Sequence, residues 1–253
     1  MSSDYSFWHT RYYQQVGWTE NTRRYILNKV GISPNDNLLE VGCGSGAVLE
    51  TLKNDGYRNL NGIDLDLNIL LQSKLPHSSA CADGLHLPFQ DASFDHCLCH
   101  FYLMWVSDPL TALREMARVT MPGGWVLALA EPDYGGRIDY PQPLEILGEM
   151  QTEALCAQGA DTHMGRRLLA LFKECGLYKV GAGIISAQWG PGNSTDSFKN
   201  DWGVLARDLA GTVSTGELDA LRSRAEASTS KGEGIWYVPI FYAYGRISPA
   251  EKD

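Results

Sequence analysis

Three glycines at alternate positions, Gly42, Gly44 and Gly46, stand between the apolar run Leu38-Leu39-Glu40-Val41 and the run Ala47-Val48-Leu49. Such a stretch reads as a short buried strand, a turn too tight for side chains, and the first turn of a helix. Glycine tolerates positive φ and lets another molecule approach the backbone, and the unpaired N–H groups at a helix start point into the same gap. This is a corner of the kind that holds nucleotide-like ligands in α/β sheets. Its spacing alone leaves two chemistries open. It fits G-x-G-x-G and, with Ala47 in the last place, also the dinucleotide pattern G-x-G-x-x-G/A.

The chain beyond this corner keeps alternating. Asn59 to Asp64 reads as a second strand, Ser79 to Ala82 as a third ending at Asp83, and Phe94 to His100 as a fourth. Helices are predicted over 46–55, 67–74 and Pro109 to Val119, the last from Leu110, Leu113, Met116, Ala117 and Val119 at helical spacing. Pro122-Gly123-Gly124 is predicted to turn the chain into a fifth strand over Trp125 to Ala130. Further helices are predicted over 141–158, 161–175, 196–210 and 215–227. A sixth strand is read from Val180 to Trp189, a loop at 190–193, and a last strand from Ile235 to Gly245 after the polar run 228–234. Strands alternating with helices imply an α/β fold, a doubly wound sheet with helices on both faces.

Glu40-x-Gly-x-Gly-x-Gly, Gly62-Ile63-Asp64, Ala82-Asp83-Gly84, Phe94-Asp95 and Pro122-Gly123-Gly124 follow one another in order. Together they resemble the class I S-adenosylmethionine-dependent methyltransferases over about residues 35 to 135. The resemblance implies a Rossmann-like seven-stranded sheet, mostly parallel with an antiparallel last strand, and S-adenosyl-L-methionine as cofactor. It implies a glycine turn made by Glu40, Gly42, Cys43, Gly44 and Gly46, with the Glu40 carboxylate ordering the turn or reaching the amino-acid tail. A carboxylate at the end of the second strand can accept two hydrogen bonds from a ribose diol. Asp64, with Leu65 beside it, stands 22 residues beyond Gly42, the distance one βαβ unit needs. Asp66 is its rival but should begin the next turn. Asp83-Gly84-Leu85 resembles the family's adenine contact, and His100 follows the fourth strand on the rim beside the methyl group.

At 253 residues and 44% hydrophobic content, the chain can bury one large core without splitting. A single methyltransferase domain is expected, with a cap over 1–34, a cofactor-binding core over 35–135, inserted helices over 136–178, and closing strands and helices over 179–253. The cap carries Tyr5, Phe7, Trp8, Tyr12, Tyr13 and Trp18 ahead of a helical pattern through Tyr25, Ile26, Leu27 and Val30, and reads as either a staple onto the core or a lid. The net charge of −9, with no basic cluster beyond Arg23-Arg24 and Arg166-Arg167, argues against nucleic acid as a partner. The six cysteines form no C-x-x-C pair, and no signal peptide or long apolar span is read. A cytoplasmic protein without metal or membrane insertion is expected. Cys97 and Cys99 share one side of a strand and read as core packing.

Methyl transfer is an in-line displacement at a cationic sulfonium, which requires placement, exclusion of water and modest help with a proton. Many family members carry His-His before the next helix, but Met104 and Trp105 occupy that place here. The catalytic candidates are Tyr102, Tyr134 and His163. The segment Glu131 to Tyr140, read as a loop at the carboxyl end of the sheet, is the acceptor-side candidate. Its Tyr134, Arg137, Asp139 and Tyr140, with Trp18 from the cap, are the expected substrate-binding residues. The expected activity is methyl transfer to an O, N or C nucleophile of a small molecule. Two rivals stand beside it: a non-catalytic cofactor-binding accessory protein, and a nicotinamide-dependent oxidoreductase, which the absence of Tyr-x-x-x-Lys after the fourth strand disfavours.

Overall fold

The computed structural model of the chain describes residues 2–73, 79–185, 194–229 and 234–249. The end of the predicted sixth strand, the loop at 190–193, the end of the helix read over 67–74 and most of the polar run 228–234 lie outside them. In chain order the elements are α1 (Ser2–Val30), β1 (Asn37–Val41), α2 (Ala47–Asn54), β2 (Asn59–Asp64), α3 (Leu67–Leu70) and β3 (Ser79–Cys81). Then come β4 (Phe94–Cys99), α4 (Pro109–Val119), β5 (Thr120–Pro132), β6 (Ile138–Tyr140), α5 (Gln142–Ala157) and α6 (Met164–Glu174). The chain closes with β7 (Tyr178–Ile185), α7 (Ser194–Asp208), α8 (Thr215–Thr229), β8 (Ile235–Tyr237) and β9 (Ile240–Arg246). Contacts divide the chain into two compact units. The first is Met1–Glu131, Gly165–Ile185 and Phe241–Asp253; the second is Pro132–Met164 and Ser186–Ile240.

The first unit is built on a seven-stranded sheet in the order β3-β2-β1-β4-β5-β9-β7. β1 lies in parallel register with both neighbours, Leu38 opposite Leu60 and His96, Val41 opposite Ile63 and Cys99. β2 with β3 and β4 with β5 are parallel too. β9 runs antiparallel beside β5: Gly123 N–H donates to the Ile247 carbonyl and Ile247 N–H to the Gly124 carbonyl, two residues facing one as at an antiparallel bulge. Cys97 and Cys99 are fully buried in β4, as expected of core residues. Each helix has a local cause. Asp108 caps α4 by accepting the Thr111 N–H, and Pro109 fills its first turn, where no N–H partner is needed. α1 buries Val16, Thr19, Arg23, Ile26 and Leu27, one face at spacings of three and four, and leaves Gly17, Trp18, Arg24 and Tyr25 outside. Its apolar residues share a core with Leu38, Leu49, Leu52, Leu98 and Leu127.

Three expectations are corrected. The last strand is two strands, β8 and β9, because Pro239 between them has no N–H to continue a ladder. β8 pairs antiparallel with β6 in a separate two-stranded sheet. Pro122-Gly123-Gly124 does not precede β5 but lies within it, in a bulge: Phe94 opposes Thr120, whereas His96 opposes Trp125. The segment from Glu131 is no plain loop, since its first two residues finish β5, Tyr134–Gly136 makes one 3-10 turn, and 138–140 form β6. In the second unit, Leu144, Leu147 and Ala154 of α5 pack with Trp202 and Leu205 of α7 and Leu221 and Ala225 of α8.

Candidate active site

Gly42, Gly44 and Gly46 all adopt positive φ, at 73, 52 and 78 degrees. Much of the turn's backbone is used internally: the N–H groups of Gly42 and Cys43 both donate to the Ile63 carbonyl at 2.9 Å, and that of Gly46 to the Cys43 carbonyl at 2.8 Å. Cys43 is buried and its sulfur lies against Gly62, so that only its backbone faces the turn. Above the glycines stand two aromatic rings. A Cβ on Gly42 would strike the Tyr102 ring, one on Gly44 the Tyr12 ring, and one on Gly84 the Tyr102 hydroxyl.

Asp64 is the last residue of β2, as its place after Gly62-Ile63 predicts. Its Oδ2 accepts the Gly44 N–H at 2.8 Å and its Oδ1 the Asp66 N–H at 3.0 Å, so it ties strand end to glycine turn. Burial raises its carboxyl above the ordinary value. Asp66 instead caps α3, accepting the Asn68 N–H. Asp83 is exposed and accepts the Leu85 N–H at 2.9 Å, and Leu65 projects outward, 74% exposed.

Beneath this rim lies a buried polar cluster. Burial pushes the Glu40 carboxyl well above the usual range, against the pull of Arg23; it makes a backbone hydrogen bond with Leu49, but Oε2 has no partner. Arg23 is fully buried. Its Nη1 donates to the Val16 carbonyl at 3.2 Å and to Thr19 Oγ1 at 3.3 Å, while Nε and Nη2 have no partner. Thr19 Oγ1 lies 2.9 Å from His100 Nε2. Burial and the Arg23 charge push His100 down to about 3, which keeps it neutral. The buried Ser45 hydroxyl is also without a partner.

Tyr102 is placed by Glu131, at the end of β5. The fully buried Glu131 carboxylate accepts the N–H groups of Tyr102, Leu103 and Met104 at 2.9, 2.8 and 3.2 Å. Phe101 before them takes a left-handed φ of 52 degrees, with its N–H on the Ala130 carbonyl. Burial raises the Tyr102 hydroxyl, which therefore keeps its proton and can donate a hydrogen bond but not serve as a base near neutrality. Tyr12, also buried, is pushed up to about 12.

The residues of the second unit behave differently. Arg137 is paired with Asp139, donates to the Gly148 carbonyl at 2.8 Å, and has its guanidinium 4.6 Å from the Trp236 ring centre and 5.7 Å from that of Tyr134. Its side chain is 10% exposed and that of Asp139 4%. Gly148 admits the pair, since a Cβ there would meet Asp139 Oδ2 and Arg137 Nε. These two candidates thus hold the unit together. Tyr140 is 55% exposed. His163 is exposed, with Nδ1 3.3 Å from Thr162 Oγ1. Trp18 stands outside α1 beneath the Arg11 guanidinium, 45% exposed. The sequence reading passed over Tyr12, Thr19 and Arg23 as site residues, although with Val16, Leu27 and Val30 they mark one helical face. Among the described residues no group of three His, Cys, Asp or Glu is placed to hold a metal ion, and no helix is long and apolar enough to cross a membrane.

The fold is that of a Rossmann-like domain. Residues 39–128 match the methyltransferase domain family. Over 115 residues the chain is 38% identical to a demethylmenaquinone methyltransferase of Corynebacterium urealyticum, covering 45% of this chain and 47% of that one. Over 93 residues it is 39% identical to a malonyl-[acyl-carrier protein] O-methyltransferase of Erwinia billingiae, covering 36% and 37%. The matches span less than half the length of either relative. The solved [4+2]-cyclase SpnF has the same fold, with TM-score 0.59, 17% identity, and coverage of 91% of this chain and 82% of that one. The family match covers residues 39–128 rather than the whole chain, and the solved neighbours share its Rossmann-like fold.

Proposed function

We propose that this protein transfers the methyl group of S-adenosyl-L-methionine to an O, N or C nucleophile of a small-molecule acceptor. The observation that carries the reading is the glycine turn with Asp64 bonded to Gly44, walled by Tyr12 and Tyr102 and backed by a Glu40 oxygen that has no partner. A buried carboxyl oxygen without a partner fits a cationic ammonium, and a turn of three glycines at positive φ gives a ligand close approach to the backbone. Glu40 would hold the amino group, Asp64 the ribose diol, and Asp83 to Leu85 the adenine. When bound, the cofactor supplies a methyl group on a cationic sulfur. The chain's own residues orient it and exclude water, and the Tyr102 hydroxyl, which holds its proton, can donate a hydrogen bond but does not serve as a base.

The two named relatives are, by their names, methyltransferases of demethylmenaquinone and of malonyl-[acyl-carrier protein], so the cofactor half that they share with this chain does not choose an acceptor. Tyr134, Tyr140 and His163 of the second unit are the acceptor-side candidates of this proposal, with Arg137 and Asp139 in supporting roles. The reading places the two units in one methyltransferase domain, in the cytoplasm, and without a nucleic-acid partner, in line with the net charge of −9. Calorimetry with S-adenosylhomocysteine and with NAD tests the cofactor: the first binds and the second does not, and the reverse would end the proposal. A mass-spectrometric search of extract plus cofactor then identifies which metabolite gains a methyl mass.

A further inference from the structure

Charged groups are buried at a cost unless each finds a partner, and here two opposite ones lie close together without satisfying each other. Arg23 and Glu40 feel one another's charge, yet Nε and Nη2 of the first and Oε2 of the second have no partner. The arginine is aimed rather than loose. Reaching back along α1 to the Val16 carbonyl, seven residues earlier, it brings the guanidinium toward the end of the helix whose Tyr12 covers Gly44. Val16 and Thr19 occupy Nη1 and leave the Nε–Nη2 edge, the side-on edge that receives a carboxylate through two parallel hydrogen bonds. Thr19 also meets His100, which contributes no charge to compete. The Ser45 hydroxyl in the glycine turn completes a set of two guanidinium nitrogens, one carboxyl oxygen and one hydroxyl.

Such a set complements a zwitterion. We propose that Arg23 anchors the α-carboxylate of the amino-acid end of S-adenosylmethionine and of its demethylated product, while Glu40 takes the ammonium, so that α1 supplies part of the cofactor site. This rests on the cofactor reading above.

The test is calorimetric binding of S-adenosylhomocysteine and of its analogue lacking the carboxylate, to the wild-type chain, to Arg23→Gln and to Arg23→Lys. The wild type is expected to prefer the carboxylate-bearing ligand by about 10- to 100-fold, the worth of hydrogen bonds between charged groups. Arg23→Gln should bind the two ligands alike, and Arg23→Lys should recover part of the preference. Wild-type protein that binds both ligands within about two-fold overturns the assignment without needing any variant to fold. So does Arg23→Gln that keeps the full preference. Wild-type protein that binds neither ligand overturns the cofactor reading itself, a different outcome from binding that ignores the carboxylate.

Discussion

A guanidinium can face a ligand or hold a fold, and the chain has one of each at Arg23 and Arg137. Arg137 sits between Asp139, the Gly148 carbonyl and the Trp236 ring, so Arg137→Ala strands a nearly buried carboxylate. Urea unfolding should show a loss of about 3–5 kcal/mol, as for a broken buried pair, while cofactor affinity stays within about 0.5 kcal/mol. Gly148→Ala, which puts a methyl group into the same pair, should also destabilise. Asp64→Ala should weaken S-adenosylhomocysteine binding by about 1.5–3 kcal/mol in calorimetry and Asp66→Ala much less, since Asp66 only caps α3. A pH dependence follows from two histidines. Burial and Arg23 hold His100 at about 3, and burial lowers His96, whereas unfolded histidine titrates near 6.5. The unfolded state therefore takes up protons first, and stability, full above 6.5, falls as pH drops, by up to about 1.4 kcal/mol per pH unit for each histidine. The raised carboxyls of Glu40 and Asp64 act oppositely, favouring the fold at low pH and less as they ionise. Comparing unfolding of wild type and His100→Gln between about pH 6.5 and 5 should show a slope smaller in the variant by about half a proton at the upper end, approaching one proton at the lower.

Elements whose pattern is local were legible, and those decided by a partner were not. β2 and α4 have the bounds read from the sequence, because a short strand that ends on Asp64 after Gly62-Ile63 and a capped amphipathic stretch each carry their own limits. The bulge in β5 and the break at Pro239 depend on which strand lies alongside, and an apolar run looks alike on either side of such a change. The site divides in the same way. Asp64 follows from the strand end and the spacing, while Arg23 beside Arg24 reads only as charge. Helical rotation separates the pair: Arg23 is fully buried, and Arg24 reaches out to Glu20 and Asp55 with its side chain 52% exposed. α1 is thereby part of the core, not an appendage. Ile26→Ala, at a fully buried position of that helix, should cost about 2–5 kcal/mol in urea unfolding.

At the scale of the molecule, cofactor binding should stabilise the chain by mass action. S-adenosylhomocysteine at one hundred times its Kd adds about 2.7 kcal/mol, readable as a higher unfolding temperature, and NAD at the same concentration should add nothing. The Glu131 carboxylate bears on how such a chain can change. It lies at the end of β5 but shapes the backbone of Tyr102, Leu103 and Met104 after β4, about thirty residues earlier. Those two stretches are consequently one inheritable piece. A chimera that keeps Glu131 but imports for 101–105 a segment with a different backbone turn, or with proline among 102–104, would bury a carboxylate without its three N–H donors. Recombination that respects the sheet must move both strand ends together.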